Sequence, residues 1–177
     1  MASTARIYQL KLSLTDSEPS IWRRLLVEGN THLEELHHII QITMGWQNVS
    51  SYHYRIGKQR SDTEPCLLQM PLNEVISDGL IRFCYVYDLR DGWFHTIEVE
   101  MVLPADPQGL YPHCVTGELR CPPEGCGGIW GYNELLDILA TPEDPQYMER
   151  WEEVGGDFDP DFFDVKLVNI QLHANQD

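Results

Sequence analysis

Three cysteines and one histidine form the residue set with the clearest chemical potential. Cys114, Cys121 and Cys126 fall within thirteen residues, and His95 stands near the turn of a predicted hairpin, where the cysteine-bearing loop can fold back on it. Zinc takes four thiolate or imidazole ligands in a tetrahedron, and the four residues between Cys121 and Cys126 are at the upper end of chelate spacing. The pattern predicts a closed, structural zinc site. The alternative is three free, reduced thiols and a core histidine.

A second set joins carboxylates to histidines. Asp88, Asp91 and His95 surround one predicted hairpin turn, and four more aspartates crowd the segment GGDFDPDFFD. Carboxylates beside a histidine can bind a divalent cation and activate water, which makes Asp91, His95 and His37 the catalytic candidates. The alternative assigns Asp91 to turn formation and His37 to the apolar stripe of a helix, as a hydrogen-bonded core residue.

Several catalytic and nucleotide-binding motifs are absent from the sequence. The 177 residues contain no GxxxxGKS/T phosphate loop, no GxGxxG at the start of a helix and no GxSxG elbow. The sequence therefore predicts neither a P-loop enzyme nor a dinucleotide-binding enzyme, nor a serine hydrolase of the α/β class.

The net charge is −16 and is unevenly distributed. Residues 1–90 hold 9 Lys and Arg against 10 Asp and Glu, whereas residues 91–177 hold 3 against 18. Because nucleic-acid binding depends on neutralising phosphates with Lys and Arg, this composition argues against DNA or RNA as a partner. The acidic half either keeps the chain soluble or offers a contact surface to a basic protein partner or a cation.

The cysteine count and the apolar runs set the expected compartment. The five cysteines are an odd number, and the N-terminal residues lack the apolar stretch of a secretory signal, so no disulfide framework is expected. No apolar run approaches the ~20 residues that cross a bilayer. We expect a cytoplasmic protein without a membrane segment.

Apolar alternation predicts five strands, at residues 6–14, 21–28, 52–57, 80–88 and 93–103. The first two are expected to pair as a hairpin, and the last two as another. On the last strand, His95, Ile97, Val99 and Met101 are predicted to face the core.

Helical spacing predicts a helix from about residue 32 to Met44, which a capping box of Thr31 and Glu34 opens and Gly45 closes. Residues 104–131 contain five Pro and six Gly, which predicts a long loop.

Short helices are expected in the last third of the chain. Helical spacing resumes at residues 132–140, and Asp-Pro pairs at 144–145 and 159–160 each predict an N-cap followed by Pro. We therefore expect residues 1–177 to form a single α+β domain, with an antiparallel sheet of about five strands and flanking helices.

Six segments of the chain together resemble one known family. They are IYQLKLSL, PSIWRRLLV, LEELHHIIQITMGW, YVYDLRDGWFHTIEVE, YPHCVTGELRCPPEGCGGIWGY and GGDFDPDFF, in this order along nearly the whole chain. They are similar to the plasmid pRiA4b ORF-3-like family, also labelled transposon-passenger TnpR-like. The resemblance implies a single α+β domain and no established reaction.

The family pattern falls on eight positions of this chain, which are Arg23, His37, Asp91, His95, Cys114, Pro122, Glu124 and Gly127. The chain departs from that pattern at residues 89–90, where Leu-Arg replaces Phe-Gly, and at Gly125, which replaces Asp. The TnpR label implies a resolvase acting on DNA. A serine resolvase needs a basic DNA-binding part, which the acidic half of this chain lacks.

Two functions remain open from the sequence. The first is an accessory or interaction module, associated with plasmids or mobile elements, whose acidic C-terminal half contacts a protein partner. The second is a metal-dependent hydrolase or nuclease-like enzyme that uses His95 and nearby carboxylates.

Overall fold

Seven β-strands form the centre of the computed structural model, which describes residues 6–76 and 79–174. Their bounds are β1 Arg6–Leu14, β2 Trp22–Glu28, β3 Tyr52–Ile56, β4 Gln59–Arg60, β5 Arg82–Tyr87, β6 Trp93–Pro104 and β7 His113–Glu118. They lie in one sheet in the order β4-β3-β5-β6-β1-β2-β7. Every neighbouring pair is antiparallel, which confirms both predicted hairpins, β1–β2 and β5–β6.

In the described ranges five α-helices accompany the sheet, and a 3₁₀ helix spans Pro65–Gln69. The α-helices are α1 Leu33–Met44, α2 Leu72–Val75, α3 Gly128–Leu139, α4 Tyr147–Glu153 and α5 Val165–Ala174. No helix in the described ranges is long and apolar enough to span a membrane. The fold is therefore α+β, with flanking helices as expected.

One face of the sheet carries the hydrophobic core. Tyr8, Leu10, Leu12 and Leu14 alternate along β1, and each is at most 2% exposed. Helices α1, α3 and α5 contribute apolar side chains to the same cluster. Alternation with period two on β1 therefore places every second side chain against the helices, as the sequence pattern predicts.

A β-bulge alters the predicted alternation of β6. On the neighbouring strand Leu10 pairs with Val99 and Gln9 pairs with Met101, so Glu100 is an extra residue between two paired positions. The extra residue reverses the direction of the side chains that follow it. His95 and Ile97 face the core, but Met101 is 48% exposed, so its predicted inward position is wrong.

Helix α1 has the predicted bounds, but its N-terminus is not capped as predicted. The predicted capping box is not formed, because the N-cap residue is His32 and makes no side-chain cap bond. The Leu33 N–H donates instead to the Met70 carbonyl at 3.1 Å. At the other end Gly45 has a φ of 85°, and its N–H donates to the Gln41 carbonyl.

Residues 104–131 are not the long loop that their Pro and Gly content predicts. They contain β7, which pairs with β2, and the first turn of α3. Gly117 is required within β7, because a Cβ there would lie 2.7 Å from Cδ of Arg23. The strand count rises from about five to seven because β7 and the two-residue β4 are too short or too rich in Gly and polar residues for their alternation to be recognised.

The aspartates of the C-terminal third form turns and one helix cap. Asp144 Oδ1 accepts the N–H of Gln146, which is itself the N-cap residue of α4. Asp159 Oδ1 accepts the Asp161 N–H in a turn that leads into no helix, so the N-cap predicted there is wrong. Asp164 Oδ1 accepts two backbone N–H groups in the first turn of α5 and caps that helix.

Candidate functional site

A cleft of about 730 Å³ lies between the C-terminal end of α1 and the N-terminal end of α5, and we call it the α1–α5 cleft. Four of the family-like segments line it. They contribute Arg23, residues 44–46, residues 121–124 and several residues between 155 and 163. The fold thus brings segments that are distant in sequence to one concave surface, the usual form of a ligand site.

Arg23 forms the buried wall of the α1–α5 cleft and is 2% exposed. Its guanidinium donates to four backbone carbonyls at 2.8–3.2 Å, those of Trp22, Thr43, Glu118 and Leu119. Burial lowers the pKa of Arg23. Because these carbonyls belong to β2, α1, β7 and the segment after β7, the side chain ties the walls of the cleft together.

Three phenylalanines of the segment DFDPDFF line the α1–α5 cleft. The guanidinium carbon of Arg23 lies 4.0 Å from the ring centroid of Phe163, and that of Arg120 lies 4.7 Å from the ring centroid of Phe158. Both pairs have cation–π geometry. Phe162 is 50% exposed, and no ring or cation in the described part of the chain stacks on it.

Negative groups surround the rings of the cleft. Glu124, Glu153 and Asp164 line it, and the last two are exposed. The C-terminal turn of α1 also lines it, and a helix C-terminus carries partial negative charge. Arg23 is shielded from solvent by burial, so the charged side chains that the cleft presents are these three carboxylates and the half-buried Arg120, which stacks on Phe158.

A hydrogen-bonded wall closes one side of the cleft. Trp46 Nε1 donates to the Pro122 carbonyl at 3.0 Å, and Glu124 accepts the Gln47 N–H and the Tyr87 hydroxyl at 2.9 and 2.5 Å. Burial, followed by the hydrogen bond to Glu124, raises the pKa of Tyr87 to about 12. Pro122 and Glu124, two positions of the family pattern, therefore hold the CPPE segment against the end of α1.

His95 lies in the core and not at a surface that a substrate can reach. It is 0% exposed, its Nδ1 donates to the Trp93 carbonyl at 2.9 Å, and its Nε2 has no partner among the described residues. Burial lowers its pKa to about 4. The Trp46 ring packs edge-on against it. A buried neutral imidazole in this position is a packing residue.

The carboxylates of the β5–β6 turn are occupied by backbone groups. Asp88 Oδ1 accepts the N–H groups of Arg90 and Asp91, and its Oδ2 accepts the Ser50 hydroxyl. Asp91 Oδ2 accepts the N–H of Gly127 at 3.2 Å. The two aspartates order the turn and attach it to the start of α3, so the hydrolase alternative gains no support from them.

His37 takes part in a closed ring of hydrogen bonds. Its Nε2 and Nδ1 lie 2.7 and 2.8 Å from Asn48 Oδ1 and the Tyr85 hydroxyl. Gln41 completes the ring, because its Nε2 donates to that hydroxyl and its Oε1 accepts the Asn48 N–H. The ring of His37 also stacks on Tyr52, with centroids 3.5 Å apart. This geometry makes His37 a structural residue of α1.

The three cysteines are buried or half-buried thiols. Burial raises the pKa of Cys114 to about 11 and that of Cys126 to about 12, and it raises that of Cys121 as well. In the ranges 6–76 and 79–174, no three His, Cys, Asp or Glu side chains are grouped so that they could hold a metal ion. Zinc stays a prediction, which elemental analysis of the purified chain tests.

The aromatic part of the cleft is absent from the sequence predictions. Phe158, Phe162, Phe163 and Arg120 belong to no strand or helix with recognisable periodicity. The available signal is three phenylalanines within a turn-rich aspartate segment, where no regular element can bury them.

The chain is similar to a described protein family. Residues 6–167 match the family described as plasmid pRiA4b ORF-3-like protein. Over 166 residues the chain is 33% identical to the uncharacterized protein y4hQ of Sinorhizobium fredii (strain NBRC 101917 / NGR234), covering 88% of this chain and 84% of that protein.

A solved structure shares the fold. It is the crystal structure of a protein of unknown function, MM3350, from Methanosarcina mazei Go1. The TM-score is 0.86 and the sequences are 30% identical, and the match covers 93% of this chain and 98% of that one. None of these descriptions contains the TnpR label. The chain belongs to the plasmid pRiA4b ORF-3-like family.

Proposed function

We propose that the chain is a non-enzymatic interaction module that binds a basic segment of a partner protein in the α1–α5 cleft. One observation carries the proposal: exposed carboxylates and aromatic surface meet in the cleft, whereas His37 and His95 are buried away from it. Aromatic rings beside carboxylates are suited to Lys and Arg side chains, which place an apolar stem and a cation in one group.

The charge of the surrounding chain supports a basic partner. Residues 91–177 hold 18 Asp and Glu against 3 Lys and Arg. Between residues 134 and 164 of the described chain, one ion pair is formed, that of Arg150 with Glu153. The other carboxylates of this stretch form no ion pair among the described residues. Their negative electrostatic potential therefore attracts cationic segments and repels phosphate backbones.

A peptide-binding assay on the intact chain tests the proposal. A labelled twelve-residue peptide with six Arg or Lys, and a matched peptide with Glu at those positions, are titrated by fluorescence anisotropy at several NaCl concentrations. We expect the basic peptide to bind and to weaken as salt rises, because screening reduces attraction between exposed charges. The Glu peptide should not bind.

Two double variants of equal charge locate the site. Glu153→Gln with Asp164→Asn removes two carboxylates of the cleft, and asparagine at 164 keeps the helix cap. Glu152→Gln with Asp159→Asn removes two carboxylates that do not line the cleft. We expect about tenfold weaker binding for the first variant and about twofold for the second. Equal losses, or no binding of the basic peptide, would contradict the proposal.

A further inference from the structure

Two of the three phenylalanines in the cleft already carry an arginine of the chain itself. Arg23 stacks on Phe163 and Arg120 stacks on Phe158, at 4.0 and 4.7 Å from the ring centroids. In a chain with 12 Lys and Arg, these two pairs lie in the same cleft. The local surface is thus one on which guanidinium groups stack.

Phe162 differs from the other two rings by its exposure. It is 50% exposed within the cleft, whereas Phe158 is 8% exposed. Exposed apolar side chains are common on this chain, but Phe162 is an exposed ring that lines a concave surface together with carboxylates, which is the usual setting of a ligand contact. No cation in the described part of the chain covers this ring.

Phe162 also stands beside acidic groups that complement a cation. Asp161 and Asp164 flank it within two residues, and Asp164 and Glu153 line the same cleft. The Asp164 carboxylate uses Oδ1 for the cap of α5. Its Oδ2 makes no hydrogen bond among the described residues and is available to a donor.

We infer that the cleft recognises an arginine side chain of the basic segment, which stacks on Phe162 and donates to the neighbouring carboxylates. This inference rests on the proposed function and names its ligand class. Arginine is favoured over lysine because its guanidinium is planar. Its face stacks on an aromatic ring, and the N–H groups at its edge donate hydrogen bonds to carboxylates at the same time. The lysine ammonium offers a point charge without a flat face.

The test compares two basic peptides that differ only in the type of their cationic residues. Both are twelve-residue labelled peptides with six cationic residues, which are all Arg in one and all Lys in the other. We expect the Arg peptide to bind the intact chain at least about fivefold more tightly. Phe162→Leu, which keeps an apolar side chain and removes the π face, should reduce Arg-peptide affinity about fivefold to tenfold and should bring the two peptides close together.

Two further variants complete the design. Phe162→Tyr retains an aromatic face and should keep the preference for Arg. Ile170→Ala changes a side chain that is 65% exposed on α5 and does not line the cleft, and it should leave both affinities unchanged. Thermal unfolding of every variant shows whether the fold is intact, which is expected because Phe162 is half-exposed.

The outcomes separate this inference from the proposed function. Equal affinity of the two peptides for the unaltered chain, or unchanged Arg-peptide binding in Phe162→Leu, would overturn the inference while a basic-segment module still stands. If neither peptide binds the unaltered chain, the proposed function and the inference both fail.

Discussion

At the scale of single residues, the positions that the family pattern singles out are mainly structural. Arg23 joins four backbone carbonyls, Asp91 accepts the Gly127 N–H, and His37 completes a hydrogen-bonded ring. His95 packs in the core without reaching the surface. Residue types that can do chemistry are therefore used here to fix loops and walls, and Glu124 is the one among them whose carboxylate also borders the cleft.

The buried histidines make the stability of the chain depend on pH. Burial lowers the pKa of both His37 and His95 to about 4, below the value of about 6.5 in an unfolded chain. The unfolded chain then binds more protons between these values, so the stabilisation is complete above about pH 6.5 and is lost as pH falls through about 4. We expect the free energy of unfolding to drop by about 2 kcal/mol per histidine from pH 7 to pH 5.

Urea unfolding at pH 7, 6 and 5 measures this loss. A variant of His37 tests its cause, and the same change at the neighbouring His38 is the control. His37→Gln removes one of these groups and should reduce the loss by about 2 kcal/mol, while His95 and the buried His53, whose pKa is also lowered by burial, keep their contributions. His38→Gln changes an exposed histidine and should leave it as it is. A free energy of unfolding that is the same at pH 5 and pH 7 in the unaltered chain would show that these rings are not buried in neutral form.

At the scale of elements, the edge strand β7 is protected by a side chain. Asn169 of α5 presents its amide to Cys114, where Oδ1 accepts the Cys114 N–H and Nδ2 donates to the Cys114 carbonyl, both at 2.8 Å. The amide thus occupies both backbone groups as a neighbouring strand would. Unprotected edges favour pairing with other chains, so this contact keeps the edge closed.

Asn169→Ala should expose that edge and weaken the attachment of α5. Two hydrogen bonds are lost, which should lower the free energy of unfolding by about 1–3 kcal/mol. The freed edge should also raise concentration-dependent self-association, measured by light scattering. Lys166→Ala, a change of an exposed side chain on the same helix, is the control. Equal stability and equal scattering in the two variants would mean that the Asn169 contact does not protect the strand.

Elements whose apolar residues recur at a regular spacing are predictable from the sequence. Elements whose position depends on contacts with another segment of the chain are not. The alternation of Tyr8, Leu10 and Leu12 places β1 correctly because one face is fully buried. Strand β7 has no such pattern. It is held in place by contacts with other elements, where the Arg23 side chain packs on Gly117 and the Asn169 side chain of α5 bonds to Cys114. The bulge at Glu100 is likewise a property of the β1–β6 pair.

The candidate site was less predictable than the fold for the same reason. Its aromatic surface comes from Phe158, Phe162 and Phe163, in a segment of turns where spacing carries no information about direction. Two of these rings, Phe163 and Phe158, pack against Arg23 and Arg120, which lie on other segments. A sequence pattern reports periodicity within one element, whereas this cleft depends on contacts between elements.

At the scale of the whole molecule, unbalanced charge separates two regions. The net charge of −16 arises almost entirely from residues 91–177, which supply α3, α4 and α5 and the loops that line the cleft. Like charges held close together repel one another, and a compact state concentrates them more than an unfolded chain does. The acidic surface that suits a basic partner should therefore destabilise the free chain.

This conflict predicts that salt stabilises the free protein. Raising NaCl from about 10 mM to about 500 mM shortens the Debye length from about 30 Å to about 4 Å and should screen the repulsion among exposed carboxylates. We expect the thermal midpoint to rise by several degrees, and most of the rise should occur below about 200 mM. Weakening of the exposed pair of Arg82 with Glu98 is a small opposing effect, because exposed pairs contribute little, and the half-buried pair of Arg24 with Glu100 is screened less.

The variant Glu152→Gln with Asp159→Asn separates this screening from a general effect of salt on the hydrophobic core. It removes two exposed carboxylates outside the cleft, so its midpoint at low salt should already be higher and its further rise with NaCl smaller. If the variant and the unaltered chain rise in parallel, the salt effect comes from strengthened burial. A midpoint that falls with salt would show instead that the exposed ion pairs outweigh the repulsion, and the acidic half would then be a stabilised surface with no strain for a basic partner to relieve.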